Sequence, residues 1–234
     1  MRTANTHRFK MAPPASEASA PQRRKLPQRT RGKVRVRALL DAAEAVFARV
    51  GYDAATMSAI AQAAAAPIGS LYQFFPNKET VGRALIDQYL EALATQWAKL
   101  GLGLRRGAIQ RLCRGLTGTT RDFIRSRPAY SALESMSSRM HLQPKGRQAL
   151  LVQLQILIAQ VAPACPIADR GSIAAVLLQL IKSEYALDYL VEPSLALHAR
   201  AEICFVMESY LAHRLNAPAA NRQQEAGSRK SSPR

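Results

Sequence analysis

Val36, Leu39, Leu40, Ala43, Val46, Phe47 and Val50 recur at three- and four-residue steps, the spacing of one buried stripe on an α-helix. Gly51 then suits a left-handed C-terminal cap, so this first helix is expected from about residue 34. A second, short helix begins after Thr56, a good N-cap, and carries Ile60 and Ala64 on one face. Pro67 fits the first position of a third helix, where its missing N–H is no loss. Pro76 ends that helix, because its ring disfavours a helical Phe75. Asn77 caps a fourth helix running to about Leu100, with Val81, Leu85, Tyr89, Leu93 and Trp97 at strict four-residue steps. Gly101 and Gly103 break it.

Helical patterns continue to the C-terminus. Ile109, Leu112, Cys113, Leu116, Phe123 and Ile124 mark one helix; Pro128 precedes another with Tyr130, Leu133, Met136 and Met140; Pro144 opens a third, nearly all apolar, through Val161. After the Pro163–Pro166 break come two long helices, about 168–191 and 194–215, divided by Pro193. Apolar residues wrap widely around both, and a helix apolar on more than one face must bury each against something. The chain is thus expected to be all-α, with a small three-helix head and a larger helical body.

The two short helices and their tight connection read as a helix-turn-helix, the element that enters the major groove of DNA. Ala-Ala-Glu-Ala-Val-Phe-Ala-Arg-Val-Gly-Tyr (42–52), Thr56, Ile60-Ala61 and Pro67-Ile68-Gly69-Ser70-Leu71-Tyr72-Gln73-Phe74-Phe75-Pro76-Asn77-Lys78-Glu79 resemble the N-terminal domain of TetR/AcrR-type transcriptional regulators. The resemblance covers roughly residues 35–90 and rests on many positions at fixed spacing. It implies that Tyr72 and Lys78 contact phosphates and that Thr56 presents its hydroxyl and helix start to the DNA backbone. Arg35 and Arg37 add positive charge nearby. Ile68, Ser70 and Gln73 project from the exposed side of the third helix: Gln73 suits an adenine edge, Ile68 a thymine methyl, and Gly69 lets the backbone come close. Leu71 and Phe75 are expected in the core, Phe74 in either place. One departure stands out, since the family usually has Gly in the turn where this chain has Ala65. A positive φ there would cost Ala about 1 kcal/mol, and a slightly adjusted turn is expected.

For the body the resemblance implies an effector cavity and a four-helix interface with a second subunit. Trp97, Phe123, Tyr130, Met136, Met140 and Tyr185 are its candidate pocket residues, each also readable as plain core. Ile173, Leu177, Leu180, Ala201 and Phe205 are its candidate interface residues. Few charges fall on the inner stripes, which favours a hydrophobic or aromatic effector. A symmetric dimer is also what two groove half-sites require.

The net charge of +17 in 234 residues strengthens the case for DNA and is unevenly spread. Residues 1–34 hold nine Lys or Arg against one acid, Glu17, and so contribute +8 with four prolines and few large apolar residues. The expected organisation is therefore a disordered basic arm (1–33), the DNA-binding head (34–80), the effector and dimerisation domain (81–215) and a disordered tail (216–234). No run approaches the ~18 apolar residues of a membrane span, and a cytoplasmic protein is expected. Cys113, Cys165 and Cys204 are far apart and the four histidines lack ligand spacing, so neither metal, cofactor nor disulfide is expected. No nucleophile–base pair or paired carboxylates are visible, against an enzyme. A nonspecific architectural DNA binder working through the basic tails is the other reading that the charge allows.

Overall fold

A computed structural model describes residues 28–140 and 145–216. Among the described residues every regular element is helical: α1 (Gln28–Ala54), α2 (Met57–Ala63), α3 (Ile68–Phe74), α4 (Lys78–Gly101), α5 (Ile109–Arg125), α6 (Tyr130–Arg139), α7 (Gly146–Val161), α8 (Ile167–Leu190) and α9 (Pro193–Asn216). Helix α1 starts six residues earlier than the apolar stripe predicts, because its polar residues 28–33 include good helix formers that extend it without needing a core. Gly51 takes the expected left-handed φ of 76° and turns the chain out of the helix axis. Val50, read as core, is instead exposed at this end, where α1 leaves the head's interior. Residues 1–27 and 217–234, which hold most of the expected arm and tail, lie outside the described residues, as does Pro144.

Helix α4 holds the molecule together. Asn77 and Thr80 form a reciprocal capping box, the Asn77 side chain accepting from Thr80 N at 2.9 Å and the Thr80 hydroxyl accepting from Asn77 N at 3.4 Å. Val81, Leu85, Tyr89, Leu93 and Trp97 are all buried, the first two in contact range of the head and the last deep in the body. Helix α5 returns antiparallel to α4, the Trp97 indole N–H donating to Thr120 Oγ1 at 3.1 Å and Gly115 lying against Leu100. Helix α7 runs parallel to α4, with Gly146 against Asp87 and Leu90 at one end and Gly101 against Leu157 and Gln160 at the other. Asp87 Oδ1 accepts from Gly146 N at 2.8 Å, giving the α7 start the acceptor that its own sequence does not supply.

Helices α8 and α9 form a hairpin across α5 and α7. Glu184 is fully buried between Arg121 of α5 and Arg200 of α9, and Arg200 also pairs with Asp188. This arrangement corrects two interface assignments. Ile173 and Leu177 are completely buried within the chain's own core and present nothing to a partner, since α8 turns that face onto its neighbours. Leu180 is half-buried against the same core. Ala201 and Phe205 do face outward, and with Leu197 they form an exposed stripe on α9; Phe205 keeps 64% of its surface. Cys113 and Cys165 are buried and Cys204 half-buried, none of the three in a disulfide. Burial pushes the Cys113 thiol up to about 12, helped by Cys204 and Glu208. Among the described residues, no helix is long and apolar enough to cross a membrane.

The α4–α7 contact is the tightest in the fold and yields a direct test. A Cβ on Gly146 would lie 2.6 Å from the Asp87 carbonyl oxygen and 2.7 Å from Leu90 Cβ. Neither neighbour can rotate away, so Gly146→Ala is expected to cost about 1–3 kcal/mol. Its thermal unfolding should fall by several degrees, and an unchanged midpoint would show that the two helices are not so closely held.

Candidate nucleic-acid interface

Thr56 Oγ1 accepts from Ala59 N at 3.1 Å, the N-cap bond that starts α2, and the residue is exposed. At the other end Ala66 N donates to Ala61 O at 2.9 Å and Ala65 N to Gln62 O at 3.0 Å. This pair of bonds is the Schellman closure, in which the residue after the cap adopts the left-handed conformation. That residue is Ala65, with φ of +46°. The turn was not adjusted to suit alanine; it keeps the geometry that glycine favours. Pro67 sits one place before its expected position: its ψ of 136° is extended and α3 begins at Ile68.

Helix α3 is anchored by one fully buried residue, Leu71, and Phe75 beyond it is also buried. Its outer face carries Ile68, Gly69, Tyr72, Gln73 and Phe74, all exposed, with Tyr72 half uncovered. No heavy atom stands within 4 Å of a Cβ built on Gly69, so that side of the helix is open. Ser70 is half-buried and accepts from Arg35 Nε at 3.3 Å, which ties α1 to α3 and puts a guanidinium directly behind the exposed face. Arg37 is exposed and paired with Asp41 at 2.9 Å, a contact of small worth in solvent.

Lys78 has a structural position that the sequence did not reveal. Its ammonium donates to the carbonyls of Tyr52, Asp53 and Ala55 at 2.8, 2.8 and 2.9 Å, using all three of its donors, and stands 4.7 Å over the Tyr52 ring. Here it caps the end of α1 and clamps it to the start of α4. Burial pushes the Tyr52 phenol up, with Glu79 and Asp53 adding to the effect, so the ring under Lys78 stays neutral.

Two further contacts join head to body, and neither leaves a local sequence signal. Arg139 at the end of α6 reaches both carboxylate oxygens of Asp53, at 3.0 and 3.1 Å. Gly82 of α4 lies where a Cβ would meet Met136 Cε at 2.8 Å and the Tyr52 ring at 3.1 Å. Met136, assigned to the pocket from sequence, therefore belongs to this junction. Phe123 is likewise displaced from the pocket and stacks under Arg127, whose guanidinium carbon is 4.1 Å from the ring centre. Met140 is exposed at the end of α6, past the last turn that packs inward.

The remaining three candidates do line one pocket. Trp97, Tyr130 and Tyr185 line one narrow cleft, part of it open to solvent, bounded by α4 to α8. Tyr130 makes an edge contact with Tyr185 at 5.7 Å and stacks on Tyr89 at 6.2 Å. Sequence missed the charged members of this lining, Glu134, Arg147 and Lys182. They occupy flanks of α6, α7 and α8 that look like solvated positions until the helices are assembled.

Comparison with known proteins fits this anatomy. Residues 39–85 match the family model for bacterial regulatory proteins of the tetR family, the same stretch that carries the resemblance read from the sequence. The fold extends further. A TetR-family transcriptional regulator from Streptomyces coelicolor superposes with a TM-score of 0.61 at 24% identity, covering 77% of this chain and 99% of its own. The TetR family repressor AlkX from Dietzia sp., implicated in biodegradation of n-alkanes, gives 0.58 at 19% identity over 77% and 97%. SmeT, the repressor of the Stenotrophomonas maltophilia multidrug efflux pump SmeDEF, gives 0.53 at 17% over 75% and 89%. No curated protein matches the chain significantly in sequence.

The alanine in the turn generates a prediction about stability alone. Left-handed backbone costs a non-glycine residue about 1–2 kcal/mol, while glycine loses about 0.4–1 kcal/mol through the freer unfolded chain. Ala65→Gly should therefore raise the melting temperature of the full-length protein by a few degrees. A fall would show that the turn holds alanine without strain.

Proposed function

We propose that the protein is a ligand-responsive transcriptional regulator that binds a palindromic operator as a homodimer and acts most simply as a repressor, released by a small apolar or aromatic effector. The observation that carries this reading is the open face of α3 in a tetR-family head, backed by Arg35 and joined through α4 to a lined pocket. In this reading Gln73 and Ile68 read bases, with Gly69 allowing close approach. Tyr72, Thr56, Ser70, Arg35 and Arg37 bind or neutralise phosphate and set the register. Lys78 contributes its charge while holding the end of α1, and Pro67 sets the angle at which α3 leaves the turn.

Dimerisation supplies the second half-site. The exposed stripe Leu197, Ala201 and Phe205 on α9, with Val176 on α8, is the apolar surface offered for it. An effector seated against Trp97, Tyr130 and Tyr185 touches α4 and α6 together, and both helices hold the head. A change in their spacing would reorient the two heads relative to each other. Coupling of about 1–3 kcal/mol lowers DNA affinity some 5- to 150-fold, and operator must weaken effector binding equally.

Selection of bound fragments from random DNA tests the core of the proposal: an enriched palindrome supports it, and a specificity ratio near one would favour an architectural binder. On the selected site, Gln73→Ala should relax preference at one base pair per half-site by about 1–3 kcal/mol, whereas Arg37→Ala should weaken all sequences alike. Equal loss across all sequences for both variants removes Gln73 as a base reader. For assembly, Phe205→Asp should give folded monomers by sedimentation, because it places a charge on a surface the dimer must dry. A Phe205→Asp dimer of unchanged affinity would move the interface elsewhere. Leu177→Asp should simply unfold the chain.

A further inference from the structure

We propose that the end of the body opposite the head docks on the surface of an anionic lipid bilayer; this goes beyond the regulator reading and does not depend on it. Two turns meet at that end, the one joining α4 to α5 and the one joining α7 to α8, tied by Gly107 N donating to Val161 O at 2.8 Å. Each holds one large apolar residue out in solvent. Leu102 is 90% exposed and Ile167 79%, the two highest values among the large apolar side chains of the described residues. Both turns are well tied. In the first, Leu102 N, Gly103 N and Leu104 N donate to the carbonyls of Lys99, Leu100 and Gly101, while Leu100 and Leu104 pack inward. In the second, buried Cys165 is the anchor, its carbonyl accepting from Arg170 Nε at 3.0 Å and Nη2 at 2.8 Å.

Cations stand beside these tips without acids to answer them. Between Glu91 and Asp122 the chain carries six Lys or Arg and no Asp or Glu. Arg114 pairs with Glu208, and Arg121 with buried Glu184. The side chains of Lys99, Arg105, Arg106 and Arg111 are exposed and make no hydrogen bond or ion pair among the described residues. Arg111 reaches back over the first turn, its guanidinium 3.3 Å from a Cβ built on Gly103. Against these four stands Asp169, in the first turn of α8. Exposed apolar tips beside unpaired cations supply the two attractions that hold a protein on an anionic membrane face: charge draws it in, and the tips enter the headgroup layer. A DNA duplex would answer the cations and leave Leu102 and Ile167 in water. A folded protein partner would call for a continuous apolar core to its interface, whereas these are two points on separate turns.

Full-length protein is floated with vesicles of phosphatidylcholine, either pure or with about one-third phosphatidylglycerol. Partition onto the anionic vesicles should exceed that onto the neutral ones at least about tenfold. Arg105→Gln combined with Arg106→Gln should lower it about twentyfold, at roughly fivefold per cation. Leu102→Ser should lower it about fivefold, and Ile167→Ser gives a second measure of the tips. These side chains are exposed, so the variants should keep the native melting midpoint. The charge-matched control is Arg23→Gln with Arg24→Gln in the basic arm, which should leave partition within about twofold of native. No preference for the anionic vesicles, or an equal loss from the arm control, overturns the proposal. So does a loss from the Arg105 and Arg106 changes with native partition for both Leu102→Ser and Ile167→Ser, the result that a plain electrostatic surface for nucleic acid would give. No DNA enters the flotation, so its outcome leaves the regulator reading to be decided by operator selection.

Discussion

One face of one helix has to serve two cores. The stripe Val81, Leu85, Tyr89, Leu93 and Trp97 leaves the head at its first residue and reaches the pocket floor at its last, buried throughout. Over 24 residues at about 1.5 Å each, α4 spans roughly 36 Å without an irregular turn. Because the buried residues from Leu39 to Leu211 form a single connected cluster, the head is not an independent domain on a tether. Its seat is fixed by the capping box at Asn77 and Thr80 and by the three bonds of Lys78, which together determine where α4 starts relative to α1.

The second constraint is electrostatic. Burying Glu184 costs desolvation that Arg121 and Arg200 offset, and such groups seldom add net stability over an apolar packing. What they fix is register: Arg121 is on α5, Arg200 on α9 and Glu184 on α8, so a slip of either hairpin helix by one turn would strand a buried carboxylate. The stripe Leu197–Ala201–Phe205 thereby keeps a defined direction on the outside of α9. Apolar residues alone would not ensure this, since α8 and α9 carry them on nearly every side.

What the sequence disclosed and what it hid divide along physical lines. Caps and stripes are local, so Thr56, Asn77, Gly51, the α4 face and the exposed side of α3 could be placed from spacing alone. Contacts between residues far apart in sequence could not. Lys78 reads as a free surface cation until the carbonyls of residues 52–55 are folded against it, and Met136 reads as a pocket residue until Gly82 is found beneath it. Ile173 and Leu177 were assigned outward because a helix apolar all round gives no sign of which face meets its own chain. The pocket's charges were missed for the opposite reason, as isolated Glu, Lys and Arg on separate helices look solvated one at a time. In the turn, Ala65 shows the surrounding fold overruling a residue's own preference, since two backbone bonds and the burial of Leu71 and Ile60 hold it left-handed.

The junction of α4, α6 and the end of α1 explains how so small an energy as a few kcal/mol could be felt at the head. At Gly82 a methyl group would push against the Met136 terminal carbon on one side and the Tyr52 ring on the other, so both would have to shift. A well-packed contact of this kind does not deform smoothly; it either holds or repacks. A displacement of α6 at Tyr130 or Glu134, both within two turns of Met136 on a 10-residue helix, is carried toward Gly82 and Tyr52 and toward the Arg139–Asp53 pair. Tyr52 lies under Lys78, and Lys78 begins α4. The end of α1, the start of α4 and the C-terminal half of α6 thus share one set of contacts, and the missing side chain at Gly82 is what lets Met136 and Tyr52 meet there.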